Sequence, residues 1–294
     1  MRKFIDFKHK FNGKELQPET GLYDYGARLY LPDIGRWMNV DPLAEKYSNV
    51  SPYAYVNNNP IMLIDPDGRM AVPPDDYIFN EKGDYVRTDK TNKPDRIVIE
   101  NSSTGKVEGT YNFADPSEDP AAIDAGTINK VVFVGLNRIV KMLGEAGAFD
   151  KTNRENEWSY MNTESKGGGK LDFSYSAIPS EFAAEGASAD PLTTPSPMLF
   201  IPEGDGNAHN HMNFGNFLWG AAGHSLGFSK GTLKAAAHYN SLFNSGTNGY
   251  PSQWDSSDDQ FSIGRGVDFS KTNQFRDRTW SPSTGLSAPP IKKR

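Results

Sequence analysis

The sequence predicts an α+β protein whose strands are concentrated towards the N-terminus and whose helices are concentrated towards the C-terminus. In residues 11–69, aromatic residues at period two stand between Gly, Pro and Asn turns, which is typical of short strands. In residues 209–266, small and apolar residues recur at helical spacing. The 294 residues are only 36% hydrophobic, with a mean hydropathy of −0.63, which favours two modest modules joined by loops.

Composition narrows the possible functions. The absence of cysteine excludes disulfides, Cys-ligated metals and a thiol nucleophile. Residues 1–70 hold equal numbers of acidic and basic side chains, so the net charge of −6 falls on residues 71–294, which lack the broad positive field of many nucleic-acid-binding proteins. Neither a signal peptide nor a membrane span is predicted, so we expect a dedicated secretion system to deliver the protein.

The first part of the chain reads as a β-meander. Tyr23/Tyr25 and Tyr53/Tyr55 alternate with residues of the opposite face, as side chains of half-buried strands do. The strands are too few to close a sheet on their own. Because an edge and an apolar face would remain exposed, the segment is expected to belong to a larger β assembly.

Residues 11–69 contain a series of motifs, which are, in order, Asn12-Gly-Lys-Glu, Gly21-Leu-Tyr-Asp-Tyr-Gly-Ala-Arg28, Gly35-Arg36-Trp37, Asp41-Pro42, Asn58-Asn59-Pro60 and Asp65-Pro66-Asp67-Gly68. This series resembles the end of the RHS repeat-associated core domain, a YD-repeat shell that encloses toxins. The resemblance implies self-cleavage by an Arg and two aspartates, at the positions of Arg28, Asp41 and Asp65. Two carboxylates beside an Arg can share a proton and activate water. The alternative is that both aspartates only form turns, as Asp-Pro sequences do.

The middle of the chain supplies scaffold elements. Residues 71–95 are predicted to be a linker with a junction at Pro73-Pro74. Residues 96–100 and 106–111 predict a β-hairpin, and apolar residues at helical spacing predict a helix over about 127–145.

A glycine run precedes the next expected element. Leu171, Phe173 and Tyr175 predict a short strand that presents Asp172 on its other face, either to a site or to solvent. Residues 180–208 predict a long surface loop interrupted by an apolar stretch at 198–201.

Three helices are predicted in residues 209–266, which contain four of the five histidines. The first begins at an Asn213 cap and ends at Gly227, and Ser229 caps the second. The third begins with the acids after Asp255 and ends at Gly266. Several glycines inside the first helix suggest close approach by another backbone or by a ligand.

Residues 165–270 contain a second series of motifs: Gly169-Lys170-x-Asp172-Phe173, Phe214-Gly215-Asn216, Gly220-Ala-Ala-Gly223, Gly227-Phe228, Leu233, Ala237 and Asp259-x-x-x-Ile263-x-x-Gly266. Together they resemble the bacterial polymorphic toxin type 44 family. The resemblance implies a cargo toxin of interbacterial competition, with an immunity protein and the RHS shell as partners. The expected domains are the RHS end at 1–70, the linker at 71–95, the toxin module at 96–270 and a surface tail at 271–294. The toxin module is expected to begin with a β-hairpin and to be mainly helical towards its C-terminus.

The residue types leave three enzymatic mechanisms open. A metal-free nuclease acting on RNA would use a His as acid or base with polar support, from His211, His224, Asp172 and Asn216. A metal-dependent hydrolase would hold a divalent ion with His209, His211, Asp172 and Asp259. A peptidoglycan hydrolase would use Asp172 and Asp259 as its acid and base. A nuclease would act in the target cytoplasm and a peptidoglycan hydrolase in the periplasm.

A non-enzymatic interpretation explains the same residues. Asp258 and Asp259 suit the N-terminus of a helix because its macrodipole favours acids there. Histidines on helices are often buried packing residues whose ring nitrogens are hydrogen-bonded. In this alternative, the RHS end donates strands to a YD-repeat partner and the C-terminal module only binds or packs.

Overall fold

A computed structural model describes residues 9–12, 14–42, 44–46, 50–60, 63, 65, 67–69, 75–91, 95–150, 157–243 and 255–289. The chain forms two compact units. The first comprises residues 1–78 and 87–96, and the second comprises residues 79–86 and 97–294. The predicted α+β class is confirmed, because both helices and several sheets are present.

The first unit contains the predicted meander. Its antiparallel strands follow chain order: β1 His9–Phe11, β2 Lys14–Gln17, β3 Leu22–Asp24, β4 Leu29–Leu31 and β5 Arg36–Trp37. Tyr25, Tyr30, Trp37 and Tyr55 pack edge to face or tilted against one another in its core. The strand expected at Tyr53/Tyr55 is wrong, because a short 3-10 helix, Tyr55–Asn58, places Tyr55 in this core.

A second five-stranded sheet has the order β12-β9-β8-β6-β7. Its strands are β6 Asp75–Asn80, β7 Tyr85–Lys90, β8 Arg96–Glu100, β9 Val107–Phe113 and β12 Asn207–Ala208. The predicted hairpin at 96–111 is confirmed as β8 and β9. β6 and β7 fall within the stretch expected to be a linker, whereas its junction at Pro73-Pro74 lies outside the described residues.

The helix predicted over 127–145 is wrong in its first half. Residues Lys130–Val134 form strand β10, and helix α2, Leu136–Glu145, follows it. β10 pairs in parallel with β11, Met198–Pro202, whose five residues are all buried. The prediction of a surface loop over 180–208 is therefore also wrong at its apolar stretch, because continuous apolar runs suit parallel strands that are covered on both faces.

The remaining helices are α1 Asp119–Asp124, α3 Glu157–Glu164, α4 Ala177–Glu181, α5 His211–Ser225, α6 Lys230–Phe243 and α7 Ser257–Thr272. The cap of α5 is Asn210 rather than the predicted Asn213, since the Asn210 side chain accepts a hydrogen bond from the Asn213 N–H. Gly227 follows the end of α5 with φ +110°, as predicted for a terminating glycine. Ser229 accepts from the Thr232 N–H at the start of α6, also as predicted.

α5 and α7 cross at very short range, and glycines permit the approach. A Cβ at Gly220 would lie 2.3 Å from the carbonyl oxygen of Ile263, and a Cβ at Gly266 would lie 1.9 Å from that of Phe217. Gly266 therefore lies inside α7, which continues to Thr272, and its predicted role as a helix stop is wrong. The expected close approach by another backbone is confirmed at Gly220.

The segment after the triple glycine contains no strand, so the strand predicted at 171–175 is wrong. It forms turns in which Leu171 and Phe173 are buried in the main core. At the other end of the chain, Phe275 is fully buried, and Trp280 of the small hairpin β13 Trp280–Ser281 and β14 Gly285–Leu286 packs against Gly144. Within the described ranges, no helix has both the length and the apolar character needed to cross a bilayer.

Candidate functional site

In the first unit, Arg28 bridges the two aspartates that the RHS resemblance implies. Its Nη1 donates to Asp41 Oδ2 and its Nη2 to Asp65 Oδ2, each at 2.8 Å. Its Nε donates to the Gly68 carbonyl oxygen, and the guanidinium lies over the Trp37 ring, with Cζ 4.2 Å from the ring centroid. Arg28, Asp41 and Asp65 therefore lie together, beside the backbone of Gly68 and Arg69.

The Asp65 carboxyl is buried beside this chain segment. Its Oδ1 accepts from the backbone N–H groups of Gly68 at 2.7 Å and Arg69 at 3.0 Å. Burial raises the pKa of Asp65, against the opposing charge of Arg28. A pocket lined by Arg28, Asp41 and Asp65 opens beside them. A carboxyl held close to the backbone, next to such a pocket, has the geometry to exchange a proton with a water molecule or a peptide group.

In the second unit, His209 is fully buried and its two ring nitrogens are engaged. Nε2 lies 3.0 Å from Asp205 Oδ2 and Nδ1 lies 3.0 Å from the Ser262 hydroxyl. The carboxylate requires an N–H at Nε2, so Nδ1 accepts from Ser262. Although this is a Ser–His–Asp array, Ser262 and His209 are both 0% exposed, which denies a substrate access to the hydroxyl. The array instead links His209, which follows β12, to Ser262 of α7.

His211 and His224 are likewise buried and hydrogen-bonded. His211 Nε2 donates to the Ser174 carbonyl oxygen at 2.8 Å, and its Nδ1 accepts from Ser196 Oγ at 2.6 Å. Burial lowers the pKa of His211, so the ring is neutral at pH 7. His224 Nδ1 lies 2.9 Å from Ser270 Oγ. The rings of His209, His211 and His224 are thus all buried and hydrogen-bonded.

Asp172 forms a hydrogen bond within its own turn. Its Oδ2 accepts from the Gly168 N–H at 3.1 Å, and burial raises its pKa. The described residues contain no group of three or more His, Asp or Glu side chains arranged around one metal position. The set of His209, His211 and Asp172 is therefore not assembled as a metal site.

Asn216 and Asp259, in contrast, are brought together. Asn216 Nδ2 donates to Asp259 Oδ1 at 2.6 Å, and Ser256 Oγ donates to Oδ2 at 2.7 Å. Burial, reinforced by the charges of Asp258 and Asp255, raises the pKa of Asp259 to about 7. A carboxyl with this pKa exchanges its proton readily at neutral pH, as a general acid or base must.

Asp259 belongs to a larger group that we call the carboxylate cluster: Asp115, Asp119, Asp255, Asp258 and Asp259. Burial raises the pKa of Asp115 to about 6, with Asp258 as the next cause. Burial and, after it, the charge of Asp115 raise the pKa of Asp119 well above its ordinary value. Such mutually perturbed acids in one place are characteristic of functional sites.

Three asparagines of one helical face support the carboxylate cluster. Asn210 Nδ2 donates to Asp119 Oδ1 at 3.1 Å, Asn213 Nδ2 donates to Asp258 Oδ2 at 3.0 Å, and Asn216 donates to Asp259 as described. Their spacing of three residues places them on one side of α5. Asp115 and Asp119 were not predicted as site residues. The regular asparagine spacing is a sequence signal that could have pointed to polar partners.

Short stretches of the chain are similar to known proteins. Salivary gland surface protein 1 of Aedes aegypti is 54% identical over 62 residues, which is 21% of this chain and 2% of that protein. Toxin subunit YenC1 of Yersinia entomophaga is 35% identical over 123 residues, which is 42% of this chain and 11% of that protein. The tRNA nuclease WapA of Bacillus subtilis strain 168 is 39% identical over 66 residues, which is 21% of this chain and 3% of that protein.

The chain thus spans only a small part of the length of these relatives, two of which are a toxin subunit and a nuclease. No family model matches the chain. No solved structure matches it.

Proposed function

We propose that the chain is part of an RHS-type polymorphic toxin used in interbacterial competition, in which a type 44-like module, residues 96–270, is a hydrolytic cargo that cleaves RNA. The observation that carries the hydrolase is the Asp259 carboxyl, whose pKa of about 7 and bond from Asn216 suit it to move a proton at neutral pH. Similarity to a toxin subunit and to a tRNA nuclease supports RNA as the substrate class.

In this mechanism Asp259 is the general base or acid. Deprotonated Asp259 would accept the proton of the attacking hydroxyl or water as its oxygen bonds to phosphorus. The P–O bond to the leaving oxygen would then break, and that oxygen would take up a proton from water. Asn216 would hold the carboxylate in position through its N–H. Burial, followed by the charges of Asp258, Asp255 and Asp115, keeps the pKa of Asp259 high. The buried histidines maintain the scaffold.

The first unit is proposed to end the shell and to release the cargo. Its support is the position of Arg28 between Asp41 and Asp65, beside Gly68 and Arg69. Cleavage would be hydrolysis of a peptide bond near residue 69: a water oxygen adds to the carbonyl carbon, the C–N bond breaks, and the Asp65 carboxyl transfers a proton to the leaving nitrogen. A cognate immunity protein would protect the producing cell by covering the cargo.

The test is to express the full chain in bacterial cytoplasm and, in parallel, with an export signal. The proposal expects growth arrest and RNA degradation in the cytoplasm, and loss of both with Asp259→Asn. Asp268→Asn is the matched control because Asp268 lies on the same helix, where it pairs with Lys230 at 2.8 Å. Its toxicity should equal that of the wild type.

Two results would count against the proposal. Unaffected growth in both compartments would favour the non-enzymatic alternative, and full toxicity of Asp259→Asn would remove the carboxylate cluster as the active centre.

A second candidate is a glycan hydrolase acting on peptidoglycan. It is favoured by the two raised carboxyls, Asp259 and Asp115, because glycoside hydrolysis uses a protonated acid together with a second carboxylate. Killing only after export, with intact RNA and released murein fragments, would select this candidate.

A further inference from the structure

Two buried oxygens, one on a member of the carboxylate cluster and one on a residue bonded to it, have no hydrogen-bond donor. Within the described residues, neither Asp119 Oδ2 nor Asn213 Oδ1 has a partner, although Asp119 is only 2% exposed and Asn213 only 1%. The other polar atoms of both side chains are bonded, to Asn210 and to Asp258. Asn210 links the two residues, because it donates to Asp119 Oδ1 and accepts from the Asn213 N–H. A buried oxygen without a donor destabilises the folded state, so two of them on linked residues point to a missing electropositive partner.

We propose that Asp119 and Asp258, with the Asn213 carbonyl oxygen, hold one hydrated Mg²⁺ or Mn²⁺ ion at the carboxylate cluster. Oxygen is the ligand atom that these hard cations select. The Asn213 amide N–H donates to Asp258 Oδ2 at 3.0 Å, which leaves the Asn213 Oδ1 as the atom of that side chain able to bind a cation.

The missing partner could be a proton or a metal ion, and the charges around the ligand set favour a metal ion. Protonation of Asp119 would neutralise one acid, but the charge of Asp258, which acts on Asp115, Asp119 and Asp259, would remain. The charges that act most strongly on Asp115, Asp119 and Asp259 are those of other carboxylates. A divalent cation compensates several of them at once.

Two carboxylates and one amide oxygen form a small ligand set, which agrees with the lack of any three-acid metal group among the described residues. Mg²⁺ needs no more, since it keeps several waters and is commonly bound through one or two carboxylates plus substrate phosphates. The cation would also allow the proposed nuclease to bind RNA, because an acidic site repels RNA unless a metal ion bridges to the phosphate. The inference deepens the proposed function in this respect and rests on it only for the role of the ion.

The test measures binding without any substrate. Mn²⁺ chloride is titrated into the full chain, and the free ion is followed by electron paramagnetic resonance, with Mg²⁺ as competitor. We expect about one Mn²⁺ per chain, displaced by Mg²⁺. Asp119→Asn keeps the shape of the side chain and should weaken the affinity at least tenfold. Asp258→Asn provides a second variant in case Asp119→Asn fails to fold.

Asp268→Asn should bind Mn²⁺ like the wild type. Absence of Mn²⁺ binding to the full chain, or affinity unchanged in both cluster variants, would overturn the inference. Because activity is not measured, the two proposals fail separately. Tight, Asp119-dependent binding in a non-toxic protein would leave the cation site standing and reject the hydrolase, whereas a toxic protein that binds no Mn²⁺ would do the reverse.

Discussion

Replacing Asp259 with Asn separates folding from chemistry in the carboxylate cluster. Asn keeps the shape of the side chain and an oxygen to accept the Asn216 bond, but it removes the charge. The pKa of Asp259 rises from the ordinary 3.8 to about 7 in the folded protein. That difference corresponds to about 4 kcal/mol of free energy that the ionised carboxylate costs the native state above pH 7.

The sign follows from proton binding. Between pH 4 and 7 the unfolded chain loses the Asp259 proton while the folded chain retains it, so the stability contribution present below pH 4 is lost as pH rises through 7. Asp259→Asn should therefore raise the free energy of unfolding at pH 8 by about 2–4 kcal/mol, allowing for the altered bond to Ser256. At pH 4 the gain should be close to zero.

The assay is urea unfolding of the full chain at several pH values, followed by the helical circular-dichroism signal. Every α-helix assigned in the described residues lies in the second unit, so this signal follows the unit that contains Asp259. The control Asp268→Asn loses an ion pair with Lys230 and should destabilise by about 1 kcal/mol or less at pH 8. Equal effects of Asp259→Asn at pH 4 and pH 8, or destabilisation at pH 8, would refute the reasoning.

Two other predictions concern the helix crossing and the first unit. Gly220→Ala would place a methyl group 2.3 Å from the Ile263 carbonyl oxygen, so it should lower the free energy of unfolding by about 1–3 kcal/mol in the same urea assay. The control is Gly231→Ala, whose added methyl group would meet no atom nearer than 3.9 Å. It should leave the free energy of unfolding unchanged or raise it by up to about 1 kcal/mol. An equal response of the two variants would contradict the proposed role of glycine at the crossing. Electrophoresis of the purified chain should show a break near residue 69 that Asp65→Asn abolishes and Asp67→Asn preserves; a break that persists in Asp65→Asn would exclude Asp65 from the reaction.

If Asp259→Asn is both more stable and inactive, its lost activity cannot be attributed to unfolding. Active sites commonly retain charges that destabilise the native state, and removing such a charge exchanges function for stability. The carboxylate cluster fits this pattern, because burial raises the pKa of Asp115, Asp119 and Asp259 alike.

Local signals in the sequence determined much of the fold. The alternating tyrosines predicted the strands around Tyr23, and the turn between residues 100 and 106 predicted the β8–β9 hairpin. Gly227 and Ser229 marked helix ends. These signals are local because turn and cap preferences depend on neighbouring residues. The motifs around Arg28, Asp41 and Asp65 also nominated three residues that the structure brings together.

Tertiary structure decided what local patterns left ambiguous. Lys130–Val134 could continue a helix or form a strand, and it forms a strand because it pairs with the buried β11. Gly266 resembled a helix stop, but it is an interior contact with the backbone of α5. In both cases the deciding partner lies more than 40 residues away along the chain.

The candidate site, too, was determined partly by the sequence and partly by the tertiary structure. His209 and His211 stood out in the sequence as reactive groups, and only the packing of Ser262, Ser196 and Ser174 around them shows that both rings are hydrogen-bonded and buried. The sequence alone supplied the acids, the asparagines and their spacing. Folding brought residues 115–119, 210–216 and 255–259 together, and the raised pKa values arise because the desolvation and mutual repulsion of these carboxyls exist only after that assembly.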